Sequence, residues 1–219
     1  MGKHNIVIPK GVVCDKCNNE TLSALDQALI EFKPISGMKT LFGIPSKTGA
    51  LPTVKFGNAR LEMLATGNVR FDSRDPKAFQ LEQLEDGTNR MKFNWQLDMH
   101  RPSAKYSRKL TRALLKMLLG CIYMDRGHDF ALSDRFDPMR DKILNRTKFK
   151  GYLAIMNKVR DPSSQESGVA YKFIRGEEGE ESVWVMFQFY GVIMVTDSEM
   201  LGLNYIERLD PDRVGVIRF

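Results

Sequence analysis

The sequence predicts an α+β fold built on a mainly antiparallel sheet with two or three helices. Three observations predict it. The stretch "SAKYSRKLTRALLKMLLGCIYMDRG" repeats its apolar residues every three or four positions between a start signal and a stop signal. Period-two alternation fills the region from about Val54 to Leu97 and returns after Lys150. A chain of 219 residues, 42% hydrophobic and 27% charged, is long enough and apolar enough for a real core in one or two domains.

The elements follow in order. In "NETLSALDQALIEF", Leu22, Leu25, Leu29 and Phe32 recur at helical spacing, with Thr21 or Ser23 as cap and Pro34 as terminator. "KPISGMKTLFGIPSKTGALP" gathers Gly, Pro, Ser and Thr and reads as a linker over 34–53. "LPTVKFGNARLEML" and "NRMKFNWQLDM" read as strands, with "EDGTN" as the turn before the second. The long helix starts at Ser103, just after Pro102, and stops at Gly127. A second helix follows in "DRFDPMRDKILNR", with Pro138 in its first turn. Strands return at "KGYLAIMNKV", "GVAYKFIRG" and "ESVWVMFQFYGVIMVTD", the last two joined by a solvated "GEEGEE" hairpin loop. "SVWVMFQFYGVIMV" is apolar on both faces and reads as one central, covered strand whose aromatics belong to the core. The twelve Met residues read as core filler.

Charge gives the first functional pointer. The net charge of +6 favours polyanionic partners. Lys105, Arg108, Lys109, Arg112 and Lys116 recur at three- and four-residue spacing and fall within about a third of the helix circumference. Tyr106, Leu110, Ala113, Leu114 and Met117 take the other side, while Leu115 and Leu119 make the second half apolar nearly all round. No acidic partner stands four residues from these cations, so the stripe reads as a surface for phosphates, with salt-dependent, sequence-blind affinity. A face that merely solvates the helix is the other reading. No apolar run approaches the ~18 residues of a membrane helix, and the N-terminus lacks a signal-peptide core, so a cytoplasmic protein without a membrane partner is expected. No phosphate-binding Gly loop and no Ser-His-Asp arrangement is present.

The second pointer is "KHNIVIPKGVVCDKCNNE". Its CxxC, Cys14 and Cys17, places two thiolates within reach of one zinc ion, and a structural zinc needs four ligands. The remaining candidates are Cys121, His4, His100 and His128. Cys121 lies among Leu118, Leu119 and Ile122 and reads as a buried core thiol; His100 and His128 flank helix ends and read as surface or cap residues. An odd cysteine count argues against a disulfide framework. A thioredoxin-like redox pair is the rival reading, but the aromatic and Gly-Pro surroundings of such a site are absent. A zinc ion shared between the CxxC pairs of two chains is a third.

The string Asn5–Val7…Val13–Cys14–x–x–Cys17–Asn18 resembles the second half of an HNH endonuclease module of the zinc-ribbon type, a ββα-metal fold. The resemblance implies that Cys14 and Cys17 are the second zinc-binding pair. It implies further that Asn5 is the loop-fixing middle Asn and that Asn18 binds the catalytic divalent metal, such as Mg. "FDPMR", with Asp137, Pro138 and Arg140, resembles a helix of the same family. The first CxxC and the water-activating His have no counterpart, since His4 adjoins the middle Asn. The zinc site is therefore expected to be incomplete in this chain, with its other half encoded upstream. The implied organisation is a ββα-metal remnant with its following helix over 1–33, a linker over 34–53 and an accessory α+β domain over 54–219. Two functions follow. One is an HNH-like, metal-dependent nuclease acting on DNA, weak or inactive in this form. The other is a non-catalytic nucleic-acid-binding or regulatory module that uses the basic helix.

Overall fold

The computed structural model describes residues 16–46, 48–56, 59–74, 79–83, 85, 87, 89–93, 103–157, 169–174, 183–189, 192–199 and 214–218. The fold is α+β, with helices set against antiparallel sheets. Five strands, β6 (Tyr152–Asn157), β7 (Val169–Ile174), β8 (Trp184–Phe189), β9 (Val192–Asp197) and β10 (Val214–Arg218), form a sheet of order β10-β6-β9-β8-β7. Every pairing in it is antiparallel. Earlier in the chain, β1 (Thr53–Phe56), β2 (Ala59–Met63) and β3 (Val69–Ser73) make a three-stranded meander, and β4 (Phe79–Gln83) pairs with β5 (Asn89–Phe93).

The long helix α3 (Ala104–Arg126) forms where its periodicity predicts. The Ser103 hydroxyl accepts the Tyr106 amide at 3.3 Å, which satisfies one of the orphan donors of the first turn. Gly127, at φ +84°, ends the helix in a conformation that costs a side-chain-bearing residue. Leu110, Leu114, Leu115 and Leu118 are fully buried, and α3 lies against β6 and β9. Trp184, Phe187 and Phe189 of β8 and Met194 of β9 fill the same core.

After α3 come a short helix α4 (His128–Ala131), a 3-10 turn (Asp134–Phe136) and α5 (Asp137–Leu144). Pro138 sits in the first turn of α5, where its missing N–H costs nothing, and Asn145 caps the other end at φ +60°. The "FDPMR" motif acts structurally here. The Arg140 guanidinium donates to the carbonyls of Ala131 (2.9 Å), Leu132 (3.2 Å) and Ser133 (2.9 Å), while Asp137 holds it from the other side at 2.6 Å. One side chain thus satisfies the last carbonyls of α4 and fixes the corner into α5.

Four expectations change. The 34–53 stretch is not all linker: Lys33–Leu41 is a helix, α2, with Ile35 and Met38 buried. Pro34 opens α2 instead of closing the preceding helix, since proline is tolerated in a first turn. Burial of Ile35 and Met38 outweighs the roughly 1 kcal/mol that Gly37 costs a helix. Gly43, at φ +61°, then turns the chain away, with Met63 Cε 3.2 Å from where a Cβ would stand. Second, Ser23 does not cap α1 (Ser23–Glu31); its hydroxyl donates back to the Asn19 carbonyl at 2.6 Å, and a π turn, Cys17–Leu22, precedes the helix. Third, "SVWVMFQFYGVIMV" is two strands, β8 and β9, paired from Phe189↔Val192 to Trp184↔Asp197. Fourth, "LPTVKFGNARLEML" likewise divides into β1 and β2.

Leu22, Leu25, Leu29 and Phe32 are buried as their spacing predicts. They share one core with Ile35, Met38, the apolar face of α3 and the five-stranded sheet. Residues 22–38 are therefore packed into the same core as residues 110–195. No described helix is long and apolar enough to cross a membrane.

Cys121 is buried, 5% exposed, as its neighbours predict, and burial pushes its thiol up to about 12. Burial also raises Tyr106, with Glu31 adding to it, and raises Tyr171. A raised acid keeps its proton in the fold and loses it more readily in the unfolded chain. Its contribution to stability is whole below the unfolded value of 9.0 for Cys121 and is lost as pH rises toward about 12. Lys142, lowered by burial, works in the opposite sense over the alkaline range. We expect the urea midpoint to fall between about pH 9 and 12. The fall should be shallower in Cys121→Ala; an unchanged slope in that variant would contradict the assignment.

Candidate nucleic-acid interface

The five cations predicted on one stripe of α3 divide into two groups. Lys105 and Arg108 are exposed and Lys109 is half-exposed, all within the first two turns. Arg112 and Lys116, one and two turns further on, reach across to neighbouring elements. Arg112 donates from Nε (2.9 Å) and Nη2 (2.8 Å) to the Ile143 carbonyl at the end of α5. That carbonyl is one of the last of its helix, so the guanidinium caps α5 and complements its dipole. Burial holds the Arg112 guanidinium below its ordinary value. Lys116 Nζ lies 2.8 and 2.7 Å from the two carboxylate oxygens of Asp26 on α1. The stripe is continuous in sequence, but its C-terminal half fastens α3 to α5 on one side and to α1 on the other.

At about 100° per residue, the flanks of α3 can be ordered. Tyr106, whose hydroxyl donates to the Ala28 carbonyl at 2.9 Å, marks the α1 flank. Thr111, whose hydroxyl donates to the Tyr152 carbonyl at 3.2 Å, marks the edge facing β6. Arg108 and Arg112, four residues apart, lean toward the α5 side, and Lys105 and Lys109 lie on the ridge between the flanks. Among the described residues, Asp26, which pairs with Lys116, and Glu31, whose charge acts on Tyr106, belong to α1. After α5 the exposed Arg146, Lys148 and Lys150 of "NRTKFK" form a second basic run, Arg146 pairing with Asp141 at 3.4 Å. Reading the sequence helix by helix passes over that second basic run, because its alternation of Arg146, Lys148 and Lys150 has no helical period.

The metal expectation finds two of its residues among those described. Cys17 is half-buried at the start of the π turn, and Asn18 beside it is exposed, its carbonyl accepting the Ser23 amide. Asn5 and Cys14 lie outside the described residues, as do His4 and His100. Among the described residues no group of three or more His, Cys, Asp or Glu converges to hold a metal ion. Cys17 and Asn18 do not make a zinc or magnesium site by themselves. His128 is exposed at the start of α4, its Nδ1 3.2 Å from Asp129 Oδ1.

One polar constellation was not legible in the sequence. Asp197, wholly buried at the end of β9, accepts the Tyr152 hydroxyl and, at 2.9 Å, the Glu199 amide. Beside it a cleft of about 240 Å³ is lined by Arg135, Pro138, Met139, Lys142, Ser198 and Glu199. Lys142 Nζ donates to the Glu199 carbonyl at 2.9 Å, and the Ser198 hydroxyl accepts the Val183 amide at 3.0 Å. These bonds tie the end of β9 to α5 and to the start of β8. With two cations against Glu199 and the adjacent Asp197, the cleft carries no strong bias toward an anion.

Comparison with family models, with curated proteins and with solved structures gives no match. The HNH resemblance therefore rests on the residues that carry it.

Proposed function

We propose that this chain binds the phosphate backbone of nucleic acid, DNA in the first instance, through the N-terminal half of α3. The observation that carries the reading is the division of the basic stripe. Arg112 and Lys116 fasten the helix on both flanks, and that fixes the direction in which the exposed Lys105 and the half-exposed Lys109 face solvent. A surface already held in place loses little conformational entropy when it binds. The positive end of the helix dipole adds to the same two charges. Such a surface makes phosphate contacts without reading base edges, so affinity should track charge and salt, not sequence.

The test is binding of a labelled 20-base-pair duplex to the full chain between 50 and 200 mM salt. Two phosphate contacts predict a log–log slope near −2 and a loss of roughly 12-fold over that range, equal for unrelated sequences. Absence of binding at 50 mM would overturn the reading.

The nuclease that the HNH resemblance implies would add metal-dependent cleavage to such binding. It needs Asn5 and Cys14 in addition to Cys17 and Asn18. Duplex cleavage that depends on added Mg and is lost in Asn18→Ala would support it.

A further inference from the structure

We propose that the cleft between α5 and the end of β9 binds a small zwitterion of the α-amino-acid class, with the ligand's carboxylate on Arg135 and Lys142 and its ammonium on Glu199. None of the residues that line the cleft belongs to α3, so the site is separate from the surface proposed above for nucleic acid.

Two elements supply the walls. Pro138, Met139 and Lys142 come from one side of α5, and Arg135 from the 3-10 turn before it. The other wall is Ser198 and Glu199, just past β9. That corner is fixed by its hydrogen bonds. The buried Asp197 carboxylate accepts the Glu199 amide at 2.9 Å and the Tyr152 hydroxyl. The Ser198 hydroxyl accepts the Val183 amide, and the Ser198 amide donates to the Val183 carbonyl, both at 3.0 Å. Lys142 Nζ joins the two walls by donating to the Glu199 carbonyl at 2.9 Å. Walls held in this way lose little freedom when a ligand enters.

What the walls leave unmatched defines the ligand. The exposed Arg135 guanidinium lies over the Phe136 ring, 5.7 Å from its centroid, and has no carboxylate partner among the described residues. The exposed Glu199 carboxylate forms no salt bridge among the described residues. Lys142 uses one N–H on the Glu199 carbonyl and keeps the others for a ligand. The Ser198 hydroxyl accepts from Val183, while its own proton meets no acceptor among the described residues.

Charge and size then select among ligands. A lone anion would gain Arg135 and Lys142 but sit against Glu199; a lone cation would meet the reverse. A molecule that carries both charges sets each against its opposite. Charged hydrogen bonds of that kind are the strong ones, Arg with carboxylate above all. The cleft volume, about 240 Å³, falls below the ~300–1,000 Å³ of sites that take drug-sized ligands, so the occupant has few atoms. Pro138 and the buried Met139 add an apolar, adaptable wall. An α-amino acid with an aliphatic side chain has all three features.

The experiment is calorimetric titration of the full chain with L-leucine and with two analogues that each keep one of its charges, 4-methylpentanoate and isopentylamine. Saturable binding of L-leucine below about 10 mM is expected, with each analogue weaker by about tenfold or more. Arg135→Gln should reduce L-leucine to the level of isopentylamine, and Glu199→Gln should reduce it to that of 4-methylpentanoate. Both residues are exposed, so the thermal midpoints of the two variants without ligand should match that of the unsubstituted chain. The analogues test the site on the unsubstituted chain whatever the variants do to stability. No binding of L-leucine up to that concentration, equal binding of all three compounds, or variants that bind L-leucine as the unsubstituted chain does would overturn the assignment.

Discussion

Reversing the charge of Lys105 and Lys109 together, each to Glu, is expected to weaken duplex binding by ~30-fold or more at low salt. The same change should barely affect stability. Exposed substitutions of this kind shift folding by about 0.5 kcal/mol or less. Here they also place acidic groups at the positive end of α3, where the dipole favours them. Electrophoretic mobility shift and thermal unfolding on one preparation check both halves. A variant that binds as before would remove the helix from the account; one that unfolds early would mean that these side chains hold the fold.

The largest stability effect is expected at Leu114. Its side chain is fully buried at the centre of α3, on the face that meets β6 and β9. Leu114→Ala removes buried apolar surface and leaves a cavity that the sheet has little room to close, at a cost of about 2–5 kcal/mol. Against a typical total of 5–15 kcal/mol, that lowers Tm by on the order of 10 °C. Exposed Met124, near the C-terminal end of the same helix, is the control: Met124→Ala should leave Tm within a degree or two. Equal losses at the two positions would contradict the packing described.

Local chemistry was legible in the sequence; partnership across the fold was not. Ser103 and Gly127 bound α3 where cap and stop rules put them, and Leu22, Leu25, Leu29 and Phe32 all face the core. The helix α2 was hidden by composition. Gly37, Ser36 and Pro34 look like a loop until the core that buries Ile35 and Met38 is present. The division of β8 from β9 left a trace: a fourteen-residue apolar run is more than twice the usual length of a strand, so a turn was due. The strand β10 has a short apolar run that nothing local distinguishes from a loop.

The candidate site follows the same rule. Lys109 and Lys116, seven residues apart, are neighbours on a helical wheel. Only Asp26, 90 residues from Lys116 in sequence, separates them, and Arg112 meets its own partner, the Ile143 carbonyl, 31 residues away. Asp197 and Tyr152 meet 45 residues apart, so their pairing had no sequence signal. In the FDPMR motif, Arg140 holds the carbonyls of Ala131, Leu132 and Ser133.

The central claim is that one helix divides its cations, Lys105 and Lys109 for phosphates and Arg112 and Lys116 for the fold. The direct measurement is to make Lys105→Gln and Arg112→Gln and record the salt slope and the unfolding free energy of each. The account predicts that Lys105→Gln lowers the magnitude of the slope by about 1 and changes stability by less than about 0.5 kcal/mol. It predicts that Arg112→Gln keeps the slope and loses about 1.5–3 kcal/mol of stability, the cost of leaving the Ile143 carbonyl without its charged donor. The reverse pattern, or equal slope losses from both variants, would contradict the division.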